Sequence, residues 1–134
     1  MTFSQSDNTG GSSPRRLLVV DDNPVNRKLA MAFAARLGWK AEELDSGANV
    51  LGLLARASFD VILLDISMPG LSGEEVLERL RATPELACQK VIAYTAHALP
   101  DEQRRLLAAG FDGLLIKPIN LQTLADTLAA VLPH

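Results

Sequence analysis

The segment most informative about the fold is Val61-Ile62-Leu63-Leu64-Asp65-Ile66-Ser67-Met68-Pro69-Gly70. Its first four residues form an unbroken apolar run, and its last three favour a turn. An apolar run of this length that ends in turn residues is typical of a strand buried on both faces of a parallel sheet. The stretch therefore predicts a central strand whose carboxyl end carries the acidic residue Asp65.

Other short apolar runs repeat this pattern along the chain. The predicted strands are 17–20, 41–44, 61–64, 91–94 and 114–116. The strand at 41–44 contains two glutamates and is predicted to lie at an edge of the sheet. The strands at 17–20, 61–64 and 91–94 are continuous apolar runs, as expected of strands with both faces covered.

Helical patterns separate the predicted strands. Apolar residues recur at helical spacing at Val50, Leu53, Leu54 and Ala57, and again at Leu121, Leu124, Ala125, Leu128, Val131 and Leu132. Pro24 and Pro100 fit first helical positions, Gly38 and Gly110 fit helix ends, and Asn120 fits an N-cap. Strict alternation of strands and helices predicts an α/β fold, a doubly wound five-stranded parallel sheet with right-handed crossovers and five helices.

Length and composition favour a single globular domain. The chain has 134 residues, of which 48% are hydrophobic and 22% charged. No apolar run approaches the roughly 18 residues that span a bilayer, so we expect a cytoplasmic protein without membrane insertion. The net charge of −3 gives no basic surface for direct DNA binding. Residues 1–14 are rich in Ser and Gly and are predicted to be a flexible tail or linker, with the folded domain at 15–134.

Polar residues follow four of the predicted strands. They are Asp21, Asp22, Asp65, Thr95 and Lys117. Ligands of doubly wound sheets bind outside the carboxyl ends of the strands, so these side chains are predicted to converge on one site.

Each of these residues also has a plain structural interpretation. Asp21 and Asp22 would serve as caps of the helix that begins near Pro24, and Asp65 would open a turn. Thr95 and Lys117, taken singly, are more often ordinary loop or surface residues.

The five residues together favour a metal site. Three carboxylates in one crevice repel one another unless a cation is present. Oxygen ligands favour Mg²⁺, for which Mn²⁺ would substitute. A hard cation, a hydroxyl and a lysine beside a carboxylate are suited to phosphoryl transfer, with Asp65 as the nucleophile.

Four motifs resemble the receiver domains of response regulators in two-component signalling. They are Val19-Val20-Asp21-Asp22-Asn23-Pro24-Val25-Asn26-Arg27, Leu63-Leu64-Asp65-Ile66-Ser67-Met68-Pro69-Gly70, Tyr94-Thr95-Ala96-His97-Ala98 and Leu115-Ile116-Lys117-Pro118-Ile119. They occur in the order of the family, and the resemblance covers about residues 16–132. The first and third motifs look more like receivers of hybrid histidine kinases or phosphorelays than like DNA-binding regulators.

The resemblance implies a fold, a function and a set of residue roles. The fold would be flavodoxin-like, with strand order 2-1-3-4-5. Asp65 would accept a phosphoryl group from a phosphohistidine of a histidine kinase or histidine phosphotransfer protein, and the domain would then regulate a downstream protein. Asp22, Asp65 and the backbone carbonyl of Ser67 would ligate Mg²⁺, while Asp21 would hold a metal-bound water. Thr95 and Lys117 would contact phosphoryl oxygens, and the Lys117–Pro118 bond would be cis.

Two further positions affect this prediction. His97 lies two residues after Thr95, where a side chain at the pocket rim influences phosphoryl lifetime in the family; a role as phosphoacceptor is disfavoured. Leu114 stands where many family members have Tyr or Phe. The resemblance therefore does not extend to the aromatic side chain whose rotamer is usually coupled to the threonine.

Three alternative functions remain open. A Mg²⁺-dependent phosphatase of the haloacid dehalogenase type also uses an aspartate nucleophile at a strand end, but it requires a second acid where this chain has Ser67. A nucleotide or flavin binder of the same fold would need a glycine-rich phosphate loop, and the chain has neither common form of it. A receiver-like interaction module would keep the acidic pocket without being phosphorylated.

Overall fold

A computed structural model describes residues 14–96 and 99–132. The strands are β1 (Arg16–Val20), β2 (Lys40–Leu44), β3 (Val61–Asp65), β4 (Lys90–Thr95) and β5 (Gly113–Ile116). The helices are α1 (Pro24–Arg36), α2 (Val50–Leu54), α3 (Gly73–Ala82), α4 (Pro100–Ala109) and α5 (Leu121–Val131). Short 3₁₀ turns at Gly47–Asn49 and Pro84–Leu86 precede α2 and β4.

The five strands form one parallel sheet in the order β2-β1-β3-β4-β5. This order and the alternation of strands and helices confirm the predicted doubly wound fold. The predicted strand bounds agree with the structure to within one residue, and β2 lies at an edge as expected. The order changes direction next to β1, so the carboxyl ends of β1 and β3 border the crevice where ligands of such sheets bind.

Alternate residues of each strand build the two layers of the core. Leu17 and Val19 of β1 face the layer that contains α1 and α5, whereas Leu18 and Val20 face the layer that contains α2, α3 and α4. β3 has every residue buried, because helices cover both faces of the sheet there. The sheet is thus a rigid platform, and the parity of a residue along its strand determines the face to which its side chain belongs.

The helix boundaries follow local chemistry and correct two predictions. Neither Asp21 nor Asp22 is the cap of α1: the Asn23 side chain accepts hydrogen bonds from the backbone N–H groups of Val25 and Asn26. The two aspartates are thereby left for other contacts. The helical spacing that extends to Ala57 predicts a longer helix than is observed: α2 ends at Leu54, and Phe59 lies in the core beyond it.

Other boundary signals are confirmed. Pro24 and Pro100 are the first residues of their helices, and the Asn120 side chain caps α5 by accepting from Thr123 N. Gly38 and Gly110 adopt positive φ angles just beyond the ends of α1 and α4. No helix in the two described ranges is both long and apolar enough to cross a bilayer.

Candidate functional site

The alternation of side chains along the strands places Asp21, Asp65 and Lys117 on the same face of the sheet. Asp21 lies two residues beyond Val19, just past the end of β1, and Asp65 lies two residues beyond Leu63 in β3. Both therefore continue the alternation that faces the α1 and α5 layer. Lys117 continues the same alternation one residue after the end of β5. The carboxylates and the ammonium group thus arise from the carboxyl ends of β1, β3 and β5, with β4 between the last two.

Three carboxylates form a compact cluster. Asp21, Asp22 and Asp65 each offer one oxygen, and these atoms lie within 4.8 Å of one another. Asp21 is fully buried and Asp65 is 3% exposed, whereas Asp22 is exposed at the mouth of the site. The predicted convergence of the acidic residues is observed.

Lys117 joins two of these carboxylates. Its Nζ lies 3.0 Å from Asp21 Oδ2 and 3.2 Å from Asp65 Oδ1. Its side chain is only 15% exposed, so these contacts form in a medium less screened than bulk water. Three carboxylates and one ammonium group leave two negative charges when all are ionised. The Lys117–Pro118 peptide bond is cis, as the resemblance implied.

The pKa of Asp65 is raised well above its ordinary value. Burial raises its pKa from 3.8 to about 6, and the nearby Asp21 charge adds to the rise. The Ser67 backbone N–H, which donates to Asp65 Oδ1 at 3.1 Å, and Lys117 act in the opposite direction. A carboxylate in this position is mostly ionised near neutral pH, yet it gains much from a further cation.

Thr95 and Ser67 flank the cluster. Thr95 ends β4, is buried, and its carbonyl oxygen accepts a hydrogen bond from Lys117 N at 2.8 Å. Because side chains alternate along β4, the Thr95 side chain lies on the opposite face of the sheet from those of Asp65 and Lys117. Ser67 is exposed in the loop after β3. The role of its carbonyl as a metal ligand stays a prediction, and His97 lies outside the described residues.

Two contributors were missed by the sequence interpretation. Arg27 in α1 donates from Nη1 to the Asp21 carbonyl oxygen at 2.9 Å and from Nε to Glu43 at 2.8 Å, which ties the loop after β1 to β2. Tyr94 places its ring centroid 4.6 Å from Lys117 Nζ. Arg27 stands at helical spacing from Asn23, a signal that would have drawn attention to it. Tyr94 sits in an apolar run, where the sequence offers no sign of a contact with the site.

The fold and the cluster at the strand ends are those that the resemblance to receiver domains of two-component signalling implied. The sequence profile of the response regulator receiver domain matches residues 17–129. The chain therefore belongs to the response regulator receiver domain family, and the predicted resemblance is confirmed.

Several curated relatives are sensor histidine kinases. RcsC of Salmonella typhimurium is 35% identical over 113 residues, which cover 84% of this chain and 12% of that protein. BarA of Escherichia coli is 36% identical over 117 residues, which cover 87% of this chain and 13% of that protein. This chain thus spans only about an eighth of the length of these relatives. The predicted likeness to receivers of hybrid histidine kinases agrees with these matches.

Solved structures share the fold. The chemotaxis response regulator CheY4 of Vibrio cholerae superimposes with a TM-score of 0.83 at 29% identity and covers 90% of this chain and 100% of its own. The receiver domain of a signal transduction histidine kinase from Syntrophus aciditrophicus gives a TM-score of 0.78 at 25% identity, covering 87% of this chain and 89% of its own.

Proposed function

We propose that this domain is a phosphoacceptor switch that takes a phosphoryl group onto Asp65 in a Mg²⁺-dependent reaction. The supporting observation is the cluster itself: three carboxylate oxygens within 4.8 Å of one another, with the Lys117 ammonium 3.0 and 3.2 Å from two of the carboxylates. The donor would be a phosphohistidine of a histidine kinase or of a histidine phosphotransfer protein, as the sensor-kinase relatives suggest. The output would be a change of conformation that regulates a protein partner.

The transfer is a single displacement at phosphorus. An Asp65 carboxylate oxygen forms the new O–P bond while the N–P bond of the donor breaks, and the departing imidazole nitrogen keeps the electron pair and takes up a proton. Asp65 stands at the end of a fully buried strand, so its carboxylate is held in place before the donor arrives. Lys117 already contacts Asp65 and would pair with a phosphoryl oxygen once one is attached, and Thr95 would donate to another.

The residues of the site fit a divalent cation. The donors are hard carboxylate oxygens, and the two residual negative charges match the charge of Mg²⁺. Asp22 and Asp65, with the Ser67 carbonyl, would hold the ion directly, and Asp21 would hold a water bound to it. When bound, Mg²⁺ would neutralise charge that builds up on the phosphoryl oxygens. Asp21 and Lys117 would keep the nucleophile oriented.

The direct test is phosphorylation by a small-molecule phosphodonor, followed by intact mass. The expected result is the gain of one phosphoryl group in the presence of Mg²⁺ and none after chelation. The Asp65→Asn variant should gain none, because an amide is neither a comparable nucleophile nor an anionic ligand. Undiminished labelling of this variant would refute the proposal, and a wild type that takes no phosphoryl group would favour the interaction module.

The extent of the domain is also part of the proposal. We place the receiver domain at residues 15–134 and a flexible tail or linker at 1–14, of which only Pro14 lies in the described ranges. Limited proteolysis tests this division, because it should remove the first residues and leave a fragment that begins near Arg15 and is still phosphorylated. Loss of phosphorylation with the tail would contradict it.

A further inference from the structure

Tyr94 lies beside the site and has no role in the mechanism described above. It pairs with Asp65 in the register of β3 and β4, and it pairs with Leu115 in the register of β4 and β5. Lys117 is two residues beyond Leu115, so it is a diagonal neighbour of Tyr94 on the same face of the sheet. The ring of Tyr94 lies under the Lys117 ammonium, 4.6 Å from Nζ to centroid, which is within the range of a cation–π contact.

The hydroxyl group of Tyr94 does not explain the presence of tyrosine. The whole residue is buried in the layer of α1 and α5, and its hydroxyl oxygen has no hydrogen-bond partner among the described residues. A leucine or methionine would cover the same core without burying an unsatisfied polar atom. The feature that distinguishes tyrosine from these residues is the aromatic ring facing Lys117.

We propose that Tyr94 is a positioning residue for phosphoryl transfer, whose ring holds the Lys117 ammonium at the acidic cluster. This inference rests on the proposed function of the site. A lysine head group on four rotatable bonds needs more than one contact to stay in place. The contact to Asp65 changes when that carboxylate becomes an acyl phosphate, but the ring face is the same before and after transfer. The ring therefore acts with Asp21 to keep Lys117 in place while the contact of Lys117 with Asp65 changes.

The first experiment compares phosphorylation rates of Tyr94→Leu and Tyr94→Phe in Mg²⁺ with a small-molecule phosphodonor. The leucine variant should react on the order of tenfold more slowly, because the cation–π contact is lost. The phenylalanine variant should match the wild type, because it keeps the ring and removes only the unpartnered hydroxyl. Equal rates for wild type and Tyr94→Leu would overturn the inference, and so would a slow Tyr94→Phe.

A double-mutant cycle tests whether Tyr94 acts through Lys117. In a Lys117→Ala background, Tyr94→Leu should have no further effect on the residual phosphorylation rate, since its target is gone. A further loss of similar size would show that the ring supports the fold in general, and it would overturn the inference. If the leucine variant does not fold, Tyr94→Met takes its place in both experiments.

A spectroscopic measurement on the unphosphorylated wild type separates this inference from the proposed function. The ring current of Tyr94 should shift the ε-methylene protons of Lys117 upfield of those of Lys28, Lys40 and Lys90. Tyr94→Phe should keep this shift and Tyr94→Leu should abolish it. A Lys117 signal at the position of the other lysines would overturn the inference even if the domain is phosphorylated. A wild type with the upfield shift that is never phosphorylated would refute the proposed function and, with it, the role of Tyr94 in transfer.

Discussion

At the scale of single residues, the buried carboxylates of the site are stabilised by the ammonium group of Lys117. Asp21 and Asp65 are buried acids that share the ammonium group of Lys117, whereas Asp22 is exposed at the mouth. A buried carboxylate is costly to keep ionised without a partner. The exposed Asp22 is free of that constraint and, in the proposed site, would be the first ligand that an incoming cation meets.

Asp22→Ala should therefore weaken Mg²⁺ binding by about tenfold or more, because it would remove a proposed direct carboxylate ligand from a site with few. Isothermal titration calorimetry with Mg²⁺ measures the change. Asp126→Ala is the matched control, since Asp126 is exposed on α5 and bonds only to Gln122 among the described residues. Equal affinities of the Asp22 variant and the wild type would remove Asp22 from the ligand set.

At the scale of elements, close packing of α3 against the end of β3 fixes the loop that follows Asp65. Gly73 is the first residue of α3, and a Cβ atom there would lie 2.5 Å from the Asp65 carbonyl oxygen. The helix is capped by Ser72 and Glu75, whose side chains and backbone N–H groups bond reciprocally. Because the atoms that a Cβ at Gly73 would meet belong to the backbone of Asp65 and Ile66, no side-chain rotation can relieve the clash.

Gly73→Ala should destabilise the domain by about 1 to 3 kcal/mol, since α3 must move away from β3 to admit the methyl group. Urea unfolding measures the loss. Gly52→Ala is the control, because Gly52 lies within α2 and a Cβ atom there would meet nothing within 4 Å. This control should be neutral or stabilising by up to about 1 kcal/mol. An equal response of the two variants would contradict the packing argument.

The conformational response to phosphorylation is expected to differ from that of receivers with an aromatic side chain at the position of Leu114. Leu114 is half-buried, lies in β5 beside Ala93, and packs against the core layer of α2, α3 and α4. It has no polar group to exchange between interior and solvent. The response to phosphorylation should therefore run through Thr95 and the segment that follows it as far as about Pro100, of which residues 97 and 98 lie outside the described ranges.

Leu114→Ala should cost about 1 to 2 kcal/mol, in keeping with partial burial, and leave the switch working, whereas Thr95→Ala should uncouple it. Leu107→Ala, at an exposed position of α4, is the stability control. NMR shifts with and without beryllofluoride, a phosphoryl mimic, measure the coupling. A normal response of the Thr95 variant beside a silent Leu114 variant would reverse the assignment.

The sequence predicted the elements better than it predicted their contacts. Strand bounds came from apolar runs, and helix ends came from Pro24, Gly110 and Asn120, because these signals are local. The convergence of Asp21, Asp65 and Lys117 followed from the rule for parallel sheets. The ring of Tyr94 beneath Lys117 could not be foreseen, because β4 is buried on both faces and its run carries no alternation.

At the scale of the whole molecule, the stability of the domain should depend on the charge state of its site. Burial holds the Asp65 pKa at about 6, above its ordinary value of 3.8. Between these two pKa values the native state binds more protons than the unfolded state, so the free energy of unfolding falls as pH rises. The stabilising effect of the protonated form is complete below about pH 4 and is lost as pH rises through about 6.

Without divalent cations, Asp65→Asn should therefore exceed the wild type in stability at pH 7.5, by about 3 kcal/mol at most, with little of this excess near pH 4. Added Mg²⁺ should raise the melting temperature of the wild type more at pH 7.5 than at pH 5, because protons compete for the ligands. Thermal unfolding across this pH range provides the measurement. A stability difference that does not change with pH would show that Asp65 titrates as an ordinary carboxyl.

Phosphorylation at Asp65 is tested by locating the phosphoryl group in the chain. The wild type would be phosphorylated in Mg²⁺ by a small-molecule phosphodonor, reduced with borohydride, which converts an aspartyl phosphate to homoserine, and digested for peptide mass spectrometry. We predict homoserine at position 65 and at no other aspartate. Homoserine at position 21 or 22, or a phosphoryl group retained on His97, would contradict it.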